Sequence, residues 1–131
     1  MKSIVVRPWT TVRAPDRDRQ YLAIISFLPL KRFRTTPRFL RYAGAISRQL
    51  EGTRGLVGFT FRAKILARKF YTLSVWEDEQ ALMDFVRARP HVNTMPALSP
   101  HMAEPKFVRW TVKGSEVPPT WDRAMAALRS G

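Results

Sequence analysis

The stretch LVGFTFRAKILARKFYTLSVWEDEQALMDFV, residues 56–86, decides the fold. Leu56 to Ile65 and Phe70 to Trp76 are rich in aromatic and apolar residues that alternate along the chain, as strands do. Only Leu66, Ala67, Arg68 and Lys69 separate them. That link is too short for a crossover, so the two runs pair as an antiparallel hairpin. Glu77 or Asp78 then opens a helix, where acidic groups suit the positive end of the dipole. Leu82, Phe85 and Val86 give that helix a buried stripe, and Pro90 is expected to stop it.

Outward from this stretch the pattern continues. Tyr21 to Leu28 is an apolar run rich in Ile and Phe that reads as a buried strand, ended by Pro29. A helix follows, with Thr36 as its expected N-cap and Pro37 at the first helical position. Phe39, Ala43, Ile46 and Leu50 form one stripe on it, and Gly52 is expected to close it in a left-handed conformation. Met95, Leu98 and Met102 stand at helical spacing, but Pro96 and Pro100 restrict that segment to a short turn or two. Lys106 to Lys113 reads as a fourth strand. Pro118-Pro119-Thr120 then leads into a last helix with Trp121, Met125 and Leu128 on one face. The order is β-α-β-β-α-β plus a C-terminal helix: an α+β, ferredoxin-like antiparallel sheet. The expected boundaries are an irregular N-terminal arm at 1–20, the ferredoxin-like domain at 21–113 and a C-terminal helical extension at 114–131. Within the arm, Ile4-Val5-Val6 can add a short strand, while Pro8, Pro15 and Asp16 to Arg19 read as linker.

The 131 residues are 45% hydrophobic and 25% charged, enough for a core without staples. With no cysteine, thiolate nucleophiles, disulfides and Cys-ligated metal sites are excluded. No apolar run approaches the roughly 20 residues that span a bilayer. The first 20 residues lack the features of a signal peptide, so a cytoplasmic protein is expected. The net charge of +13 is unevenly spread: residues 1–70 hold 16 Lys/Arg against 3 Asp/Glu, and residues 71–131 hold 7 against 7. A field of that sign attracts nucleic acid, anionic lipid headgroups or carboxylate ligands.

Alternation divides the strands into two faces. Ala23, Ile25, Phe27, Val57, Phe59, Phe61, Tyr71, Leu73, Val75 and Val108 form an apolar set expected to meet the helices. Ile24, Ser26, Thr60, Arg62, Thr72, Ser74, Trp76 and Arg109 belong to a mixed set, too apolar for water and too polar for a plain core. A second copy packed face to face would cover it and leave a polar-lined cavity. Arg62 and Arg109 are then its expected cations, and Thr60 and Ser74 its polar lining. His91, just after the second helix, is placed to reach the cavity mouth as an acid, a base or a haem-iron ligand. Other catalytic motifs are missing: there is no nucleophile elbow, no P-loop and no G-x-G-x-x-G.

The run RAKILARKFYTLSVWEDEQALMDFVRARPH, Arg62 to His91, resembles the dimeric α/β-barrel superfamily of antibiotic-biosynthesis monooxygenases. Within it the run is most similar to the spheroidene-monooxygenase type: a strand ending in Trp-Glu-Asp, a helix with Ala-Leu and Phe, then Pro-His. The resemblance implies a homodimer with one pocket per subunit. It also implies oxygen-dependent chemistry on a hydrophobic, carotenoid-like or polycyclic molecule, with or without haem. Trp76, Phe85 and His91 occupy matching positions, and the resemblance implies Trp76 and Phe85 as apolar walls of the pocket. Haem-degrading members carry Trp where this chain has Phe85, and the first strand offers no counterpart of their Asn. A lipid-soluble substrate together with the basic half of the chain would place the protein at an anionic membrane surface. The alternative is a non-catalytic dimer that binds a ligand or nucleic acid through the same basic half. The sheet carries no RNA-recognition aromatic signature in its favour.

Overall fold

The structure, a computed structural model, describes residues 4–89 and 91–131, with Ile4 described in its backbone only. The expected stop at Pro90 lies outside them. Six strands, β1 (Ile4–Val6), β2 (Thr10–Thr11), β3 (Gln20–Pro29), β4 (Leu56–Lys64), β5 (Lys69–Trp76) and β6 (Lys106–Lys113), form one antiparallel sheet. The helices are α1 (Thr36–Glu51), α2 (Glu79–Arg87), α3 (His91–Leu98) and α4 (Trp121–Ser130). The sheet runs β1-β4-β5-β3-β6, with β2 also on β4. Its four long strands have the ferredoxin-like order: the first and third lie in the middle, the second and fourth outside. The β4–β5 hairpin turns through Ile65–Ala67 and a left-handed Arg68.

The helix signals hold at two ends and fail at two. Asp78 caps α2 by accepting the Ala81 N–H, and Thr120 caps α4 by accepting that of Arg123. Thr36 caps nothing. A 3₁₀ turn over Phe33–Thr35 runs straight into α1, whose first N–H, that of Thr36, donates to the Phe33 carbonyl. Gly52 is not left-handed either, at φ −102°. Gly55 makes that turn instead, at φ +85°, where a Cβ would also lie 2.4 Å from Ala81 Cβ.

The assignment of the sheet faces is corrected in two ways. First, the mixed face is the one under α1–α3, and no second copy is needed to cover it. Leu28 and Phe70 pack on Phe39, Leu98 and Met102, while Trp76 packs on Leu50, Leu82 and Phe85. The apolar face is covered by the chain's own α4, through Ala124 and Leu128 on Ile25, Tyr71 and Leu73, with Trp9 of the arm alongside. Second, β4 carries a bulge between Leu56 and Gly58. Beyond it Phe59 opposes Ser74, Phe61 opposes Thr72 and Ala63 opposes Phe70. One extra residue moves every later side chain of β4 to the other face. Phe59 and Phe61 therefore join the helix side, and Thr60 and Arg62 leave it.

The arm is docked. β1 pairs with β4 from Ile4↔Lys64 to Val6↔Arg62, covering an edge that would otherwise be open. Trp9 lies flat on Gly58, where a Cβ would meet its ring at 2.4 Å. No helix among the described residues is long and apolar enough to cross a membrane.

Candidate functional site

Helices α1–α3 do not fill the mixed face. Beneath them is a hollow of about 450 Å³, within the usual range for small-molecule sites. Phe59, Phe61, Trp76 and Phe85 form its apolar walls, with Ile24, Ile46 and Met95; its polar groups are Ser26, Thr72, Ser74, His91 and Arg109. A second hollow of about 240 Å³ adjoins it across Leu28, Ile46, Phe61, Thr72 and Met95. This one runs under Phe39 and Ala43 to a mouth at Val5 and Leu40. Together they make a long, largely apolar passage, with His91 and Arg109 in the larger hollow and Arg7, Arg62 and Tyr71 along the smaller.

The sequence-predicted residues divide accordingly. Ser74, Trp76, Phe85, His91 and Arg109 come together in the larger hollow. The indole N–H of Trp76 donates to Ser74 Oγ at 2.8 Å, so both polar groups are satisfied while buried. Phe85 links the two ring systems, 5.2 Å from Trp76 and 5.0 Å from His91. Thr60 lines neither hollow, and Arg62 lines only the smaller one. Thr60 is buried, and its hydroxyl donates to the Arg7 carbonyl, fastening the arm. The Arg62 guanidinium lies over the Trp121 ring at 5.8 Å, on the α4 side. Arg109 stands at the rim, paired with Glu79 at 2.8 Å, and both partners are well exposed.

His91 is the first residue of α3, and two features hold it. Its Nδ1 lies 3.3 Å from the Val86 carbonyl, which can only accept, so the proton is on Nδ1 and Nε2 carries a lone pair. Burial pushes its pKa below the ordinary value near 6.5, and the bond to Val86 opposes that only in part. A neutral ring with an available Nε2 is the form that can accept a proton. Gln49 supplies the second restraint. Its Oε1 accepts the His91 backbone N–H at 3.1 Å, and its Nε2 donates to the Phe85 carbonyl at 3.2 Å.

Gln49 and Arg7 are site-building residues that the sequence did not mark. Gln49 lies on α1, 42 residues from His91, and no spacing rule connects them. Arg7 reaches from the arm to Ser47 and Glu51 and lies over Phe59 at 4.9 Å, closing the β4 side of the passage. An arginine in a segment that reads as linker gives no such signal. Among the described residues no three His, Cys, Asp or Glu side chains gather as a metal site would require.

No family model matches the chain, and no curated protein matches it. Solved structures do. A candidate monooxygenase from Fusobacterium nucleatum superposes with a TM-score of 0.68 at 13% identity, over 79% of this chain and 48% of that one. The chain thus spans about half the length of that protein. A candidate antibiotic biosynthesis monooxygenase from Nitrosomonas europaea gives 0.63 at 15% identity, over 80% and 97%. A dimeric ferredoxin-like protein of unknown function from Thermobifida fusca gives 0.60 at 15%, over 72% and 92%. The likeness is one of fold. The fold is ferredoxin-like, and its structural neighbours include antibiotic-biosynthesis-monooxygenase-like proteins.

Proposed function

We propose that the chain is a monooxygenase-type enzyme that takes an elongated hydrophobic molecule, carotenoid-like or polycyclic, into the passage between α1–α3 and the sheet. The observation that carries this reading is His91. It is a neutral imidazole with a free basic nitrogen, held by Val86 and Gln49 at the wall of an otherwise apolar hollow. Aromatic walls favour a flat, electron-rich molecule. His91 Nε2 would take a proton from a hydroxyl or acidic C–H of that molecule. An anion so formed can reduce dioxygen itself, and the balance closes as RH₂ + O₂ → R=O + H₂O. Ser74 and Trp76 hold each other and so keep the wall rigid.

Haem would use the same Nε2, since ligating histidines also anchor their other nitrogen to a carbonyl. Its two propionates need free cations. Arg7 and Arg109 are each already held by a carboxylate, and Arg62, which lines the smaller hollow, turns its guanidinium to the Trp121 ring on the α4 side. In this reading the residues fit a neutral or singly charged molecule and do not fit haem. A homodimer belongs to the same proposal. Its contact is best placed at the open edge of β6, where Phe107 is exposed, because the two sheet faces are already covered.

The test is oxygen uptake with an anthrone-type substrate, which carries the acidic C–H that the step needs. Wild type is expected to consume one O₂ per product. His91→Ala should lose about 10²–10⁴-fold, the contribution of a positioned base. Equal rates in the two proteins would remove His91 from the reaction.

A further inference from the structure

Seven large apolar side chains are exposed among the described residues, and most of them gather at one corner of the molecule. Val5 lies on β1, paired with Ala63 of β4. Leu66, 61% exposed, is in the β4–β5 turn three residues on from Ala63. Phe33 stands at the entry to α1, with Arg68 of that same turn over its ring at 4.6 Å. Leu40, on α1, shares the mouth of the smaller hollow with Val5. The corner is therefore an apolar patch continuous with the cavity lining.

Cations surround it. Arg32, Arg34, Arg38, Arg41, Arg68 and Lys69 lie on α1, on the turn before it and on the hairpin. None of these six is in an ion pair; the ion pairs of the described residues are Arg7–Glu51, Arg13–Glu77 and Arg109–Glu79. Asp16, Asp18, Glu77, Asp78 and Glu79 gather at the opposite end of the sheet, beside the start of β3 and the end of β5. Five of the chain's ten acidic side chains thus lie at the far end, and four of the seven exposed large apolar side chains, Val5, Phe33, Leu40 and Leu66, emerge among the cations of this corner.

We propose that this corner docks on an anionic lipid surface, so that the passage opens directly onto the bilayer through Val5 and Leu40. Guanidinium groups meet the headgroups while Phe33, Leu40 and Leu66 enter the acyl boundary. The docking stands on the surface alone; the delivery of substrate rests on the cavity reading above. Nucleic acid fits less well, because Leu40 and Leu66 offer no face for base stacking and Arg68 occupies one face of Phe33. A second copy fits less well still, because it would set cations against cations.

The full chain is sedimented with vesicles of phosphatidylcholine alone and of phosphatidylcholine with phosphatidylglycerol. Binding is expected to the anionic vesicles only and to fall with added salt. Arg34→Glu and Arg41→Glu should each weaken it by about fivefold or more, the weight of one basic residue at such a surface. Phe33→Ser with Leu66→Ser should weaken it as well, with the unfolding midpoint unchanged. Leu40→Trp emission should be quenched by brominated lipid, whereas Val92→Trp, on α3, should not respond. Equal binding to neutral vesicles, no binding, or indifference to these variants would overturn the docking. So would retention of single-stranded oligonucleotide by the serine variant, or a doubled mass that Leu66→Ser restores to one chain. His91→Ala keeps vesicle binding if only the cavity chemistry has been misread, so the two failures are distinguishable.

Discussion

His91 is a titratable ring placed where its charge is unwelcome. Because burial lowers its folded-state pKa, the unfolded chain binds the proton more readily. Stability is therefore full above the ordinary histidine value near 6.5, falls as pH drops through that value, and levels off below the folded one. Denaturant midpoints measured between about pH 5 and 8 should show this slope. His91→Gln should flatten it, and a slope unchanged in the variant would assign the titration elsewhere. Ser74 offers a second check. Ser74→Ala strands the indole N–H of Trp76, which is 1% exposed, and should cost about 1–3 kcal/mol in chemical unfolding. Trp76→Phe in the same background should recover part of that loss, as a double-mutant cycle would show. A Ser74→Ala protein as stable as wild type would mean that water or another group replaces the hydroxyl.

At the scale of elements, the docking of one part on another sets the site. Gln49 joins α1 to the end of α2 and the start of α3. Gln49→Ala should loosen His91, move the acid limb of the pH–rate profile up toward the ordinary histidine value and lower turnover; an unmoved profile would deny it a positioning role. Gly58→Ala should push Trp9 off the sheet, exposing the arm to proteolysis at an overpacking cost of about 1–3 kcal/mol. The strands, the helices and their order were legible because each stripe repeats at the right period and each connection is short. The faces of β4 were not. A single bulge at Val57 reverses the parity of everything after it, and no residue there announces it, since Gly58 reads equally well as a plain strand residue. Hence Ser74, Trp76, Phe85, His91 and Arg109 were legible as a group, whereas Thr60 and Arg62 were placed on the wrong side. Gln49 and Arg7 were invisible because their side-chain hydrogen bonds cross 36 to 44 residues of chain to partners with no motif.

The whole molecule is a sheet clad on both sides by its own chain, α4 and the arm on one face and α1–α3 on the other. Both hollows lie under the second cladding. α4 brings small and fitted groups, Ala124, Ala127 and Leu128, down onto Ile25, Tyr71 and Leu73, and all three are buried. The other three helices arch over polar groups that a close-packed core would have to exclude. The passage is the consequence, and its occupation by a hydrophobic molecule is the claim on which the functional account depends. Titration with N-phenyl-1-naphthylamine, a neutral apolar dye that brightens out of water, tests it most directly. The account predicts one dye per chain in the wild type, and loss of that binding in Thr72→Trp, which fills the junction of the two hollows while the fold stays cooperative. Dye binding undiminished by Thr72→Trp, or absent from the wild type, would contradict it.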